Sequence, residues 1–134
     1  MSAPAALAIG VGCRKGASSA AIISLVRSAL ERIAQSGASA LFTTDAKKGE
    51  TGLEEAAATL DMPLHFLGVD ALKAVAAEAQ THSPRVEALF GVPSVAETAA
   101  LAGAGPGAVL IVPRISGEGV TCAIARAASE GGAA

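Results

Sequence analysis

Four cations in two short loops are the residues of this chain best suited to bind an anion. Arg14 and Lys15 lie in GVGCRKGAS (10–18), and Lys47 and Lys48 lie in TTDAKKGE (43–50). Each loop follows an apolar run typical of a buried strand, and ligands of α/β proteins gather at the carboxyl ends of parallel strands. The sequence therefore predicts an anion-binding edge, with ordinary solvated loop charges as the alternative.

The glycine spacing in the first loop argues against a nucleotide as the anion. The glycines at 10, 12 and 16 miss the dinucleotide pattern G-x-G-x-x-G, whose third glycine would fall on Lys15, and the phosphate loop G-x-x-x-x-G-K is also absent. The loop does precede a predicted helix, whose N-terminus favours negative charge. Separate groups of cations suit a ligand with several carboxylates, so we expect a polycarboxylate.

Two residues in these loops are candidates for reaction chemistry. Cys13 stands beside Arg14 and near a predicted helix start, and both features favour the thiolate, although a small residue in a tight turn is the alternative. Asp45 could serve as a general base or could pair with Lys47 or Lys48. The histidines and cysteines lack metal-ligand spacing, so we expect no metal and no other cofactor.

Composition narrows the class of protein. The chain of 134 residues has a net charge of -2, three Phe and no Trp or Tyr, which gives neither the charge nor the stacking surface that nucleic-acid binding needs. No run of 18 apolar residues exists, and the N-terminus lacks the charged start of a secretion signal. With two cysteines and no disulfide framework, we expect a soluble cytoplasmic protein that binds neither nucleic acid nor membrane.

The hydrophobic pattern predicts the elements that carry these loops. Strands are expected at 5–11, 38–43, 64–67, 108–113 and 119–125, and helices at 18–35, 52–60 and, as two short ones, within 82–103. Ser94 and Glu97 have the spacing of a capping box, which already gives both residues a structural role. The order predicts one α/β domain over 1–126, with three parallel strands, a final antiparallel hairpin and a disordered tail at 127–134.

Several blocks together resemble a known family. The blocks are GVGCRKG followed by Ser, TTDAKKGETGL, GVPSVAETAAL, LIVPR and GVTCAIA. In this order they resemble the CobE family of cobalamin biosynthesis, which corresponds to the C-terminal domain of the CbiG proteins. The resemblance covers about 7–126 and implies a three-layer α/β/α fold with a mixed, mainly parallel sheet of about five strands.

The resemblance also implies a site and a ligand class, namely precorrin-type tetrapyrroles whose rims carry several carboxylates. The ligand-binding candidates are Gly12, Cys13, Arg14, Lys15, Gly16, Lys47, Lys48, Ser94, Arg114 and Thr121, and the catalytic candidates are Asp45 and Glu97. Arg114 stands where we expect lysine, and the cationic stretch after it is shortened to RISGE.

Three functions remain open on this basis. The first is an accessory or carrier protein that binds a precorrin or corrinoid intermediate and hands it to a corrin-pathway methyltransferase. The second is a precorrin hydrolase that opens a lactone, as the CbiG proteins are understood to do, although the chain is too short to include their N-terminal part. The third is an interaction module for such a methyltransferase. Whether the chain is an enzyme is therefore left undecided.

Overall fold

The computed structural model describes residues 6–33 and 39–128 of the chain. Its strands are β1 (Leu7–Cys13), β2 (Ser39–Thr44), β3 (Leu64–Leu67), β4 (Val109–Gly117) and β5 (Val120–Arg126). Its α-helices are α1 (Ser19–Leu30), α2 (Thr51–Leu60), α3 (Val69–Ala74), α4 (Pro84–Phe90) and α5 (Val95–Ala104). Single 3-10 turns at Asp45–Lys47 and Ala76–Glu78 complete the elements.

The strands form one mixed sheet in the order β3-β2-β1-β5-β4. The first three strands are parallel, β5 runs antiparallel to β1, and β4 runs antiparallel to β5. This confirms the predicted α/β class and the mixed sheet of five strands. The parallel strands bring the ends of β1 and β2 to one edge, because Gly10 of β1 pairs with Phe42 of β2.

The two faces of the sheet are packed differently, and β1 shows why. Its alternate residues Leu7, Ile9 and Val11 pack with α1 and α2 in one core. The residues between them are small, and the face they form packs against α3 and α5 in a second core. A Cβ at Gly10 would overlap the backbone of α5 at Ala96 and Ala100, so glycine is what lets the helix approach the strand.

Several boundaries differ from the sequence prediction. β1 continues through Gly12 to Cys13, so the glycines at 10 and 12 lie in a strand and the loop begins at Arg14. β4 runs to Gly117, so the predicted loop RISGE is mostly strand and the turn is Glu118–Gly119, both with positive φ. Helix α1 ends at Leu30, five residues earlier than predicted.

The last described residues are held beside the N-terminal end of β1. Ala127 belongs to the folded part, because its N–H donates to the carbonyl of Ala6 at 3.0 Å. Of the predicted disordered tail, residues 129–134 lie outside the described residues. Within the described ranges, every helix is too short or too polar to cross a bilayer.

Candidate functional site

A cleft of about 440 Å³ opens at the carboxyl end of β1, between the loop that follows this strand and helix α4. Three of the predicted residues form its base, namely Gly12, Cys13 and Thr121. The Thr121 hydroxyl donates to the carbonyl of Gly12 at 3.3 Å, which joins β5 to β1 directly beneath the cleft. Gly12 leaves room for this contact, because a Cβ there would stand 2.6 Å from the Thr121 oxygen.

This cleft is lined by cations that come from three parts of the chain. Arg14 and Lys15 come from the loop after β1, Lys47 comes from the turn after β2, and Arg85 comes from α4. The parallel pairing of β1 with β2 places the first two loops side by side, as the sequence predicts. Arg85 was missed, because no local pattern indicates that α4 folds back over the end of β1.

Arg14 is positioned by the turn between β4 and β5. Its N–H donates to the carbonyl of Gly119 at 3.0 Å. Its side chain lies so close to Gly119 that a Cβ there would overlap the guanidinium group. Gly119 also has a φ of 80°, a conformation that side chains other than glycine rarely adopt. The turn therefore fixes where Arg14 meets the cleft.

One wall of the cleft is largely apolar. It consists of Val86, Leu89 and Phe90 from α4, with Val95 at the start of α5, and α4 also carries the cation Arg85. The ammonium group of Lys47 lies 5.6 Å from the centroid of the Phe90 ring, a cation–π distance that links the charged side of the cleft to the apolar side.

The surroundings of Cys13 disfavour the thiolate that its neighbours in sequence favour. Burial raises the pKa of Cys13, the charge of Lys47 opposes this, and the charge of Glu50 adds to it. Burial has the larger effect on this pKa, because the side chain is half-buried at the base of the cleft.

Glu97 is fully buried and its carboxylate serves as a structural hub. Oε1 accepts from the N–H groups of Gln80 at 2.9 Å and Thr81 at 2.7 Å. Oε2 accepts from the Thr81 hydroxyl and from the Arg114 N–H, both at 2.9 Å. Ser94 caps α5 as predicted, since its Oγ accepts from the Glu97 N–H at 3.2 Å. The capping box is thus half-formed, because the carboxylate binds these other donors.

The remaining predicted residues lie outside the lining of the cleft. Asp45 and Lys48 form an exposed ion pair at 3.5 Å. Gly16 borders an adjoining cavity between the starts of α1 and α2, where its N–H donates to Glu50 Oε1 at 3.0 Å. Arg114 lies in a bulge of β4, where the register with β5 shifts between Val112 and Ile115. This frees the Arg114 N–H from the ladder, so that it can reach Glu97.

Neither side of the cleft holds a group of side chains suited to a metal. Within residues 6–33 and 39–128, no three His, Cys, Asp or Glu side chains cluster in a way that could bind an ion. The cleft offers positive charge from three parts of the chain together with a largely apolar wall.

Known proteins are similar to this chain in both sequence and fold. Residues 7–125 match the family model described as Cobalamin synthesis G C-terminus. The chain is 34% identical over 125 residues to Protein CobE of Sinorhizobium sp, a match that covers 92% of this chain and 81% of that protein.

Two solved structures have the same fold. The crystal structure of CobE, described as a protein from the cobalamin (vitamin B12) biosynthetic pathway, superposes with a TM-score of 0.84 at 34% identity and covers 94% of each chain. The cobalamin biosynthesis protein chiG from Agrobacterium tumefaciens str. C58 superposes with a TM-score of 0.70 at 41% identity, covering 92% of this chain and 99% of the other.

Proposed function

The chain belongs to the CobE and CbiG C-terminal family of cobalamin biosynthesis proteins, and from this premise we propose that it binds a precorrin or corrinoid intermediate in the cleft beside β1. In this role it is an accessory or carrier protein that holds the intermediate between ring-modifying steps and releases it to a methyltransferase of the pathway. The two free cysteines support a reducing, cytoplasmic setting.

The observation that carries the proposal is the convergence of Arg14, Lys15 and Lys47 on one cleft with an apolar wall. A corrinoid acid carries acetate and propionate carboxylates around a macrocycle whose periphery is largely hydrocarbon, so it can contact both the cations and the apolar side chains of such a cleft. Because the chain has a net charge of -2, attraction to a polyanion must come from this local group of cations and not from the whole surface.

Charge-assisted hydrogen bonds make the affinity plausible in magnitude. A desolvated contact between a cationic side chain and a carboxylate is worth roughly 1.5–3 kcal/mol. Two or three such contacts, added to the burial of part of a ring face, are enough to hold an intermediate. They are also weak enough individually to allow its release.

The cleft favours binding over hydrolysis of the intermediate. The two predicted acid–base residues are both placed elsewhere, since Asp45 pairs with Lys48 in solvent and Glu97 is buried with four donors around its carboxylate. Burial raises the pKa of Cys13, which disfavours the thiolate that a nucleophilic role needs. We therefore propose that the protein binds and carries the intermediate and does not hydrolyse it.

The test is a titration with cobyrinic acid, a corrin that carries free carboxylates. We expect the double variant Arg14→Ala/Lys15→Ala to bind on the order of 100-fold more weakly, and with a smaller dependence on salt, because two charged contacts are lost. The matched control is Arg27→Ala/Arg32→Ala, which removes the same charge from exposed positions at the far end of α1. Equal affinity in the two double variants would refute the proposed site.

A further inference from the structure

We infer that helix α4 is a movable wall of the cleft, whose apolar side chains pack on the hydrocarbon of a polycarboxylated macrocycle while the cations of the cleft, including Arg85 of α4 itself, bind the carboxylates. The inference rests on the proposed function and deepens it. It assigns ring recognition to Val86, Leu89 and Phe90, none of which the sequence blocks of the family indicated.

The first supporting observation is the exposure of the α4 side chains. No residue of this helix is buried, and Leu89 is 66% exposed. Val86 and Phe90 are half-buried, because they pack in part against the second core, and they line the same cleft as Leu89. An apolar surface of this kind is stabilised when a hydrocarbon group covers it.

The second observation is how α4 is attached. On its N-terminal side, the Ser83 N–H donates to the Pro93 carbonyl at 3.0 Å, and Thr81 is bound to the buried Glu97 carboxylate. On its C-terminal side, Gly91 ends the helix with a φ of 77° and fully buried Val92 follows. The ends are therefore fixed while the helix between them buries little. A segment with few buried apolar contacts opens at low free-energy cost.

The third observation is the contact between Lys47 and Phe90. The Lys47 ammonium group lies over the Phe90 ring at 5.6 Å from its centroid. A ligand carboxylate would compete with Phe90 for this ammonium group. A ligand ring bound between Lys47 and α4 would then contact the face of Phe90 in place of the ammonium group. Entry of the ligand and displacement of α4 are thereby coupled through one side chain.

These observations commit the cleft to one kind of occupant. An open-chain polycarboxylate would bind the cations and leave the wall of α4 uncovered. An apolar protein helix would cover the wall and leave Arg14, Lys15, Lys47 and Arg85 without partners. A macrocycle with carboxylates on its rim and hydrocarbon between them can contact the cations and the apolar side chains at once, so we assign the α4 wall to such a ring.

The experiment compares cobyrinic acid with hexaglutamate, an open-chain polycarboxylate, as ligands of Leu89→Ser. We expect this variant to bind cobyrinic acid roughly tenfold more weakly, because the favourable covering of a leucine side chain is lost, and to bind hexaglutamate as the unaltered protein does. The control is Val109→Ser, which removes an apolar side chain that is 48% exposed at the opposite end of the sheet. It should change neither affinity.

Amide hydrogen exchange of residues 85–90 gives a second measurement, because Leu89→Ser alone does not report motion. In the unaltered protein these amides should exchange faster than those of α2, and cobyrinic acid should slow them selectively.

The outcomes separate this inference from the proposed function. If Leu89→Ser binds cobyrinic acid with unaltered affinity, or if cobyrinic acid leaves the exchange of α4 unchanged, the inference is wrong. The effect of Arg14→Ala/Lys15→Ala would still support the charged site in that case. If the unaltered protein does not bind cobyrinic acid saturably, the proposed function and this inference both fail.

Discussion

At the scale of single residues, the local sequence is a poor guide to the protonation of Cys13. Its neighbour Arg14 is cationic, yet the Arg14 side chain packs against Gly119. The charge that lowers the pKa of Cys13 comes from Lys47, which is distant in sequence, and burial outweighs it. Burial has a larger effect on the second cysteine, because it raises the pKa of Cys122 to about 12.

Alkylation kinetics with iodoacetamide test this arrangement. We expect Cys13 to react more slowly than free cysteine at neutral pH and to accelerate as the pH rises, because only the thiolate reacts. Lys47→Ala should slow the reaction further, since the ammonium group stabilises the thiolate, while Lys73→Ala on α3 should leave it unaltered. Mass spectrometry separates Cys13 from Cys122. A Cys13 more reactive than free cysteine at neutral pH would contradict the dominance of burial over the charge of Lys47.

At the scale of elements, Glu97 holds together three parts of the chain that do not adjoin in sequence. It lies on α5 and binds the segment at Gln80–Thr81 and the bulge of β4 at Arg114. A buried carboxylate surrounded by donors is stabilising only while every partner is present, because each lost partner leaves a buried polar group unsatisfied. The same contacts fix the N-terminal side of α4 beside the cleft.

We expect Glu97→Gln to lower the free energy of unfolding by about 3 kcal/mol, because the amide places a donor where the protein also has donors. Urea unfolding measures this loss. Glu54→Gln makes the same chemical change on the exposed face of α2 and should alter the stability by less than about 0.5 kcal/mol. Similar losses in the two variants would show that the hub contributes nothing special.

At the scale of the whole molecule, the spacing of the layers depends on the small residues of one sheet face. Ala8 and Gly10 of β1 and Ala123 and Ala125 of β5 face α5, which itself contributes mainly alanine to this core. Helix α5 therefore lies close enough to the sheet that a Cβ at Gly10 would overlap its backbone. Its N-terminal residue Val95 in turn forms part of the cleft.

Gly10→Ala should therefore destabilise the protein by roughly 3 kcal/mol, because the new methyl group must push α5 away from β1. Thermal and urea unfolding both report the change. Gly117→Ala is the matched control, since a Cβ at this strand position would make an ordinary contact of 3.6 Å with Leu25. If Gly10→Ala and Gly117→Ala unfold alike, the close approach of α5 is not a constraint.

The sequence by itself determined the class of fold and the charged half of the site. Alternating strand and helix patterns are local properties, and a parallel order of the first strands places the loops after β1 and β2 at one edge. The convergence of Arg14, Lys15 and Lys47 could therefore be predicted from the order of the elements alone. Family membership was equally readable, because it rests on blocks of residues along the chain.

Only the tertiary structure decided the rest of the site. Three features of the site depend on contacts between segments that are distant in sequence. Glu97 is buried among hydrogen-bond donors, and one of these donors is the backbone N–H of Arg114. Helix α4 brings Arg85 and Leu89 to the cleft. The glycines of β1 show the same limit, since their spacing suggests a loop while Gly10 serves to admit helix α5. Local patterns record which face of an element is apolar, but the partner of that face is fixed only when the layers pack.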